Sequence, residues 1–408
     1  MKLLFLLVLV VMSGRLLAED KDTPPEAERS RVVTISWDAL NMWWPQLHAA
    51  HQEGEPDAES VKKILQESVD AHAIAKIDRI VNVVFERFET MVPNFKTATF
   101  IGQRLPTLGL PGFKRFHDAG MNQVQIILDR CHEQKIAFLA GLRMNDRHPL
   151  SRKAKFYLEN PSWHLDEFPG GMDYKHEEVR QAVLAFVKEL LEQHDVDGIE
   201  FDYMRSCHVF SSSEAVENTP LLTTFMRETR KHLDEAAKKR SRERLLLGVR
   251  IPQTIDECTA LGFDLATWCQ EGLVDYLCPS DFLYTDFNIQ VEDFVRMTEG
   301  TECKVYPTVH TLVAQNHDDR LMQPVHYRAA ANNYYAFGAN GISAYNFMYH
   351  WNAMRSPAYP GPASMWPKAL GYLTELRDPK QLQQEERHYL YYSLRGNNPR
   401  PSGAVHAQ

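Results

Sequence analysis

Two carboxylate residues stand two positions apart in a short β-rich segment, residues 196–205 (VDGIEFDYMR). Side chains alternate between the faces of a β-strand, so Glu200 and Asp202 share one face, about 7 Å apart along the chain. Such a pair could supply the acid and the base or nucleophile of a hydrolysis. Because buried charges need partners, the alternative is an internal ion pair with arginines of neighbouring strands. The residues on the opposite face are Ile199, Phe201 and Tyr203.

A second polar group ends the β-rich segment 136–144. The same alternation places Arg143 and Asn145 on one face, where both are candidate substrate-binding residues. His148 follows just before Pro149, which favours extended backbone at the residue that precedes it. A histidine has an unperturbed pKa of about 6.5, which suits proton transfer. His148 is therefore a candidate general acid or base. The alternative is a loop histidine that bonds the backbone, as most of the 17 histidines must be.

Polar residues end most of the other predicted strands as well. Asp38 follows the first strand on the face of Thr34 and Ser36. The others are Glu86, Arg87, Arg205, Arg250, Asp281, His310 and Asn346. A packed core has no use for a ring of polar strand ends, whereas a site for a many-hydroxyl ligand does. Aromatic residues that could stack on sugar rings are Trp37, Trp43, Trp44, Tyr203, Tyr345 and Trp351.

Three of these residues, Arg143, Arg205 and Arg250, are predicted to converge on one pocket although the net charge of the chain is −9. A guanidinium group pairs with a carboxylate through two parallel hydrogen bonds. The convergence therefore favours an anionic substrate such as a sugar acid. The alternative is that the arginines only neutralise the neighbouring carboxylates.

The elements that must position these residues alternate between strand and helix, which predicts an α/β fold. The predicted strands are residues 31–37, 79–85, 136–144, 196–203, 245–251, 274–279, 304–309 and 341–347. The predicted helices are residues 60–73, 121–134, 177–193, 220–239, 264–271, 291–298, 325–337 and 367–376. Eight of each indicate a (β/α)8 TIM barrel, and no GxGxxG follows the first strand, as a dinucleotide-binding sheet would require. Long loops follow strands one, two, three and eight, on the face where barrel enzymes build active sites.

The ends of the chain predict export. Residues 1–18 carry a charged start and an apolar run typical of a signal peptide, with cleavage near Ala18. The alternative is an uncleaved membrane tether. Residues 19–30 are a predicted linker, 31–378 the barrel, and 379–408 an extension whose end is disordered. No later apolar run is long enough to span a membrane.

Composition excludes some partners and cofactors. The negative net charge lacks the basic footprint of a nucleic-acid binder. The six cysteines have no metal-type spacing, and buried free thiols are expected. No metal or organic cofactor is predicted, and the oligomeric state cannot be read from the sequence.

The strand DGIEFDYMR resembles the fourth strand of glycoside-hydrolase-type barrels, in particular the glycosyl-hydrolase-like family 10 group. The resemblance covers about residues 31–347. More narrowly, the combination of Asp38, Arg143, His148 and Arg205 is similar to glycoside hydrolase family 156, whose members are inverting exo-sialidases.

That resemblance implies catalysis by Asp38 and His148, a carboxylate clamp of Arg143 and Arg205, and a substrate-binding Asn346. It implies no metal. The chain departs from the pattern in lacking a substantial domain after the barrel, and its Glu200 and Asp202 offer a competing catalytic pair.

The expected function is thus a secreted, inverting glycosidase that cleaves a terminal acidic sugar from glycans. Two alternatives stay open. One is a carbohydrate-binding barrel without catalysis. The other is a metal-dependent hydrolase that uses His148, His310, Asp38 and Asp281, although no HxH or HExxH spacing occurs.

Overall fold

The computed structural model describes residues 31–37, 54–101, 112–146, 149–315, 318–347 and 368–390. The strands on the main path of its sheet are β1 (Val32–Trp37), β2 (Arg79–Glu86), β3 (Ala137–Arg143), β4 (Gly198–Asp202), β5 (Leu246–Ile251), β6 (Tyr276–Pro279), β7 (Lys304–Val305), β8 (Thr308–His310) and β9 (Gly341–Tyr345). Two short strands lie off this barrel: Glu89–Thr90 pairs with the carboxyl end of β2, and Thr99–Phe100 pairs with Glu89–Thr90. A hairpin pairs Leu312–Gln315 with Asp318–Leu321.

The helices lie between these strands. They are α1 (Ala58–Ile74), α2 (Phe113–Asp118), α3 (Gln123–Glu133), α4 (Lys155–Glu159), α5 (Glu177–Gln193), α6 (Thr219–Lys239), α7 (Ile255–Ala260), α8 (Leu265–Gln270), α9 (Val291–Thr298), α10 (Pro324–Ala336), α11 (Leu370–Thr374) and α12 (Pro379–Gln384). The starts of α1, α3, α7 and α8 are fixed by side chains that accept first-turn N–H groups. These caps are Asp57, Asn122, Thr254 and Asp264. The apolar stripe predicted for α5 is buried along the helix.

The strands close into a barrel, which confirms the predicted (β/α)8 fold. Every pair along the main path is parallel, and β9 returns to pair with β1. The seventh predicted strand, residues 304–309, is interrupted at Tyr306 and Pro307. Its first half, β7, pairs with β6, and its second half, β8, pairs with β9. The interruption follows from Pro307, which has no backbone N–H to donate to a ladder.

One end of the barrel is held by a repeated polar contact. Side chains just before β2, β4, β6 and β9 accept a backbone N–H from β1, β3, β5 and β7, respectively. These residues, with their donor–acceptor distances, are Asp78 (2.8 Å), Asp197 (2.7 Å), Asp275 (2.6 Å) and Asn340 (2.9 Å). Arginines also pair with the three aspartates. Because these groups serve the amino ends of the strands, they stabilise the barrel at the face opposite to the predicted site.

The barrel interior is a small core separate from the layer under the helices. Its buried members are Val81, Leu139, Tyr276, Cys278 and Tyr306. Tyr276 fills the space over Gly248, where an added Cβ would lie 2.0 Å from the ring carbon Cζ. The phenol of Tyr276 then reaches Glu200 on the neighbouring strand. Gly248 is therefore required for the close approach of an aromatic ring.

Substitution of Gly248 by alanine is expected to lower the free energy of unfolding by about 1–3 kcal/mol, because the ring of Tyr276 must shift out of a packed interior. Gly371 is a matched control, since an added Cβ would meet nothing within 4 Å and the residue lies in α11. Gly371→Ala should raise stability by about 0.5–1 kcal/mol through helix propensity. Urea unfolding of both variants checks the opposite signs. Equal effects would contradict the proposed packing.

Two further findings concern the thiols and the helices. All six cysteines are buried and free, as the sequence predicts. Within the described part of the chain, no helix has both the length and the apolar character needed to cross a membrane.

Candidate functional site

The carboxyl ends of β4 and β5 carry an ion pair. Asp202 and Arg250 are neighbours in the strand register, and Nη1 of Arg250 donates to Oδ1 of Asp202 over 3.0 Å. The other donors of Arg250 reach Oγ of Ser280 (3.1 Å) and the carbonyls of Asp281 (2.9 Å) and Phe282 (3.0 Å). Arg250 is 0% exposed. Its donors are thus committed to the protein, which fits the ion-pair alternative for this residue.

Tyr345, at the end of β9, joins two parts of the site. Its hydroxyl donates to Oδ2 of Asp202 over 3.3 Å and accepts from Nη2 of Arg143 over 3.3 Å. The guanidinium of Arg250 lies over its ring, 3.5 Å from the centroid. Burial raises the pKa of Tyr345 above its usual value. The phenol therefore keeps its proton and can donate to the carboxylate at neutral pH.

Arg143 and Arg205 approach each other at Asp146. Arg143 donates to Oε2 of Glu86 over 2.6 Å, and its Nη1 lies 3.5 Å from Oδ2 of Asp146. Arg205 brings its Nε to 4.0 Å from the same oxygen. Its guanidinium also lies 5.0 Å from the ring centroid of Phe282. The convergence predicted for these two arginines is therefore present, with a carboxylate between them.

Glu200 lies one layer deeper than Asp202. Its Oε2 accepts from the hydroxyl of Tyr276 over 2.9 Å, and its Oε1 is 3.5 Å from Oγ of Ser36. Burial raises the pKa of Glu200 to about 7, a shift that the hydrogen bond from Tyr276 opposes. Glu200 can therefore carry a proton at neutral pH. The strand alternation predicted for Glu200 and Asp202 holds, but only Asp202 lies at the level of the arginines.

Two further polar residues lie at strand ends. Asn346 has φ +52° and is 2% exposed, and within the described ranges neither its amide oxygen nor its amide nitrogen has a hydrogen-bond partner. A non-glycine residue in this left-handed region is strained, and such strain concentrates at functional sites. His310 contacts Oγ of Ser280 through Nε2 (3.2 Å), and its ring lies 5.6 Å from that of Tyr345. Burial holds the pKa of His310 well below its usual value, so the imidazole is neutral.

Two residues predicted to bind substrate have other positions. Asn145 holds loops together, because its Nδ2 donates to the carbonyls of Met172 and His208, each over 2.9 Å, and its Oδ1 accepts from the N–H of Met172 over 3.0 Å. Tyr203 lies under the helices, where its ring is 4.8 Å from that of Phe263. The backbone of β4 turns it away from the arginines, so the structure does not bring Tyr203 to the site.

The predicted sugar-stacking aromatics divide in a similar way. Trp37 is fully buried in the outer core, and its indole N–H donates to Nε2 of His72 over 3.2 Å. Only Tyr345 contacts the arginine and carboxylate cluster among the aromatics of that group that the structure describes. Trp43, Trp44 and Trp351 lie outside the described residues.

The pair Asp38 and His148 also lies outside the described residues, so the structure does not place it. The strands before these residues are described. Asp38 directly follows β1, which pairs with β2 and β9, and His148 comes five residues after the end of β3. In the part of the chain that is described, no group of three or more His, Cys, Asp or Glu side chains could hold a metal ion.

The sequence interpretation missed Asp146 as the meeting point of the arginines. It stands beside Asn145 in the segment already singled out, but strand alternation assigns it to the outer face. Since β3 ends at Arg143, that alternation no longer applies at position 146. The position at which β3 ends is the information that the sequence pattern did not supply.

Comparison with known proteins supports the fold and goes no further. No family model matches the chain, and no curated protein matches it in sequence. Among solved structures, the PgaB (BpsB) glycoside hydrolase domain from Bordetella bronchiseptica has a TM-score of 0.52 at 10% identity, over 86% of this chain and 99% of that one. The chain thus has the barrel fold found in glycoside hydrolases.

Two other similar structures are weaker matches. The α-L-fucosidase isoenzyme 2 from Paenibacillus thiaminolyticus has a TM-score of 0.47 at 11% identity, over 85% of this chain. The chain spans only 49% of the length of that fucosidase. The maltogenic α-amylase AmyB from Thermotoga neapolitana has a TM-score of 0.44 at 14% identity, over 86% of this chain and 76% of that one. The likeness to family 156 rests on its four residues alone and stays a prediction.

Proposed function

We propose that this chain is an exported glycoside hydrolase that removes a terminal acidic sugar from glycans with inversion, in the manner of an exo-sialidase. The observation that carries the proposal is the approach of Arg143 and Arg205 to one oxygen of Asp146, at 3.5 Å and 4.0 Å. This arrangement lies beyond the carboxyl ends of β3 and β4, on the face where barrels of this type bind substrates. Export follows from the predicted signal peptide.

In this proposal Arg143 and Arg205 orient the substrate through its carboxylate. Guanidinium groups suit this role because they remain charged and present donors in a planar fork. The substrate carboxylate of such a sugar is next to the anomeric carbon, so its position also fixes the scissile bond. Tyr345 supports the orientation through its hydrogen bond from Arg143.

The acid and the base are then Asp38 and His148. The contacts of the competing pair support this choice. Asp202 is occupied by Arg250 and Tyr345, and Glu200 lies a layer below it, within the barrel. An inverting reaction needs one group to protonate the leaving oxygen and another to activate water on the opposite face of the sugar. Asp202 and Glu200 would instead hold the arginines and the barrel floor in place.

The proposal predicts release of a free acidic sugar from sialosides by the purified protein, and no release from matched neutral glycosides. The anomer formed first, followed by ¹H NMR before mutarotation, should be inverted relative to the substrate. A folded protein that cleaves no glycoside, but acts fully on another kind of bond, overturns the proposal. If the protein cleaves only neutral glycosides, it is a glycosidase, and the proposal of an acidic substrate is wrong.

A further inference from the structure

We propose that Arg87 is a third guanidinium of the anion site and contributes to recognition of the substrate carboxylate together with Arg143 and Arg205. This inference rests on the proposed function, because it names a further binding residue of the same site. No feature of its sequence context marks Arg87 beyond its place after a strand. The position is set by an unusual turn.

The backbone at Arg87 is held in a conformation that non-glycine residues seldom adopt. The pairs Phe85 with Thr90 and Glu86 with Glu89 are antiparallel, so Arg87 and Phe88 are the two residues of a tight hairpin turn. Both have φ +56°, as in turns that usually contain Asn and Gly. Each such residue is strained, and strain of this kind is found where a side chain must be presented at a site.

The second turn residue, Phe88, shows how the strain is offset. Its ring stacks on that of Phe156 at 4.3 Å with an interplanar angle of 8° and meets the edge of Phe85 at 5.6 Å. These contacts anchor the turn in the apolar layer. With Phe88 fixed outward, the turn directs Arg87 towards the ends of β2 and β3, where it lies among the carboxylates of Glu86, Glu89 and Asp146.

The contacts of Arg87 leave donor capacity at a buried position. The Arg87 side chain is 7% exposed, and its closest carboxylate is Glu86. The next contacts are long, 3.7 Å to Oε2 of Glu89 and 3.9 Å to Oδ2 of Asp146. Among the described residues, its Nε has no hydrogen-bond partner. A buried donor of this kind is unfavourable unless an acceptor is supplied, and an anionic ligand would supply one.

Asp146 gives the geometry of the cradle. Its Oδ2 lies 3.5 Å from Arg143, 3.9 Å from Arg87 and 4.0 Å from Arg205. A charge-assisted hydrogen bond is usually about 2.7–2.9 Å long. These three distances are longer, and the three guanidinium groups converge on the region around this oxygen, where the substrate carboxylate would bind. Since three nearby carboxylates balance the three arginines, recognition depends on directed N–H groups rather than on excess charge.

The test compares binding of a sugar acid with that of its neutral counterpart by isothermal titration calorimetry. The probes are N-acetylneuraminic acid and its carboxamide. The wild type is expected to prefer the acid. Arg87→Gln should weaken binding of the acid by about tenfold or more, the loss expected for one charge-assisted hydrogen bond, and leave binding of the carboxamide unchanged. Arg227→Gln, which removes an exposed arginine paired with Glu271, is the control and should change neither.

A second variant separates binding from folding. Arg87→Lys keeps a positive charge beside Glu86 but lacks the Nε–H donor and the planar fork of a guanidinium, so its Tm should stay close to that of the wild type while its preference for the acid falls. An equal loss for both probes, no loss for either, or a wild type without preference for the acid overturns the role of Arg87. The protein could instead show a preference for the acid that depends on Arg87 and yet hydrolyse no glycoside. That result would overturn the proposed enzymatic function and support the anion-binding site.

Discussion

Substitution of Asp202 by alanine is expected to lower the free energy of unfolding by about 3–5 kcal/mol, because it leaves the fully buried Arg250 without its carboxylate partner. The penalty is large because a guanidinium cannot lose its charge in the protein and so cannot escape burial by deprotonation. The hydroxyl of Tyr345 loses its acceptor in the same step. Since that hydroxyl also receives a hydrogen bond from Arg143, the damage reaches the proposed substrate clamp.

Hydrolysis by the alanine variant should therefore fall by at least about a hundredfold even below the temperature at which it unfolds, as misplacement of binding groups by about 1 Å can have this effect. Asp202→Asn is the matched control. The amide oxygen can still accept from Arg250, so its stability loss should be smaller than that of the alanine variant. Urea unfolding and initial rates on a sialoside measure both effects. Full stability of the alanine variant would contradict the assigned ion pair.

The order of strands and helices could be predicted from the sequence because both elements impose a period on apolar residues. The helix α5 has the predicted bounds, residues 177–193. Its apolar stripe is long enough to distinguish the helical period from the period of a strand. The same reasoning placed Glu200 and Asp202 inside the barrel, since a strand of five residues has only two faces. The order of the elements and the side of a strand on which each side chain lies both follow from local periodicity, and they were predictable.

The contacts within the site were not predictable, because they depend on distances between elements and on where a strand stops. Asn145 has the parity of Arg143, yet it bonds two loops because β3 ends before it. The turn at Arg87 contains none of the usual turn residues and forms because Phe88 packs outward. No sequence period indicates which arginine pairs with which carboxylate.

The choice between a substrate-binding and a structural role also depends on contacts. Arg250 and Arg143 are both buried arginines at strand ends, yet they differ in their partners. Arg250 donates to a carboxylate, a hydroxyl and two carbonyls, whereas Arg143 donates to Glu86 and to the hydroxyl of Tyr345 and lies 3.5 Å from Asp146, the carboxylate that Arg205 also approaches. The structural alternative weighed for all three arginines therefore fits Arg250 best, and Arg143 and Arg205 carry the proposed binding.

The protonation of Glu200 gives a second large effect, on the pH dependence of stability. Burial raises its pKa from 4.5 to about 7 in the folded protein. Between these values the folded state holds a proton that the unfolded state has released, so the free energy of unfolding falls as the pH rises. The contribution is fully present below pH 4.5 and is lost as the pH rises through 7. The difference amounts to roughly 3 kcal/mol.

Glu200→Gln removes this titration and should flatten the dependence of the free energy of unfolding on pH. Between about pH 4.5 and pH 8, the stability of the variant should therefore rise relative to that of the wild type by roughly 3 kcal/mol. The amide can still accept from Tyr276, which keeps the packing.

Glu189, on α5, is a control of opposite sign, because partial burial would raise its pKa but hydrogen bonds from Thr97 and Lys96 hold that pKa below the usual value. Glu189→Gln should therefore lose stability relative to the wild type at neutral pH and regain it in acid. Urea unfolding across this range measures both. Parallel curves for the wild type and Glu200→Gln would mean that Glu200 is ionised within the barrel, in which case the deep carboxylate requires a cation or donor beyond Tyr276, Ser36 and Cys278.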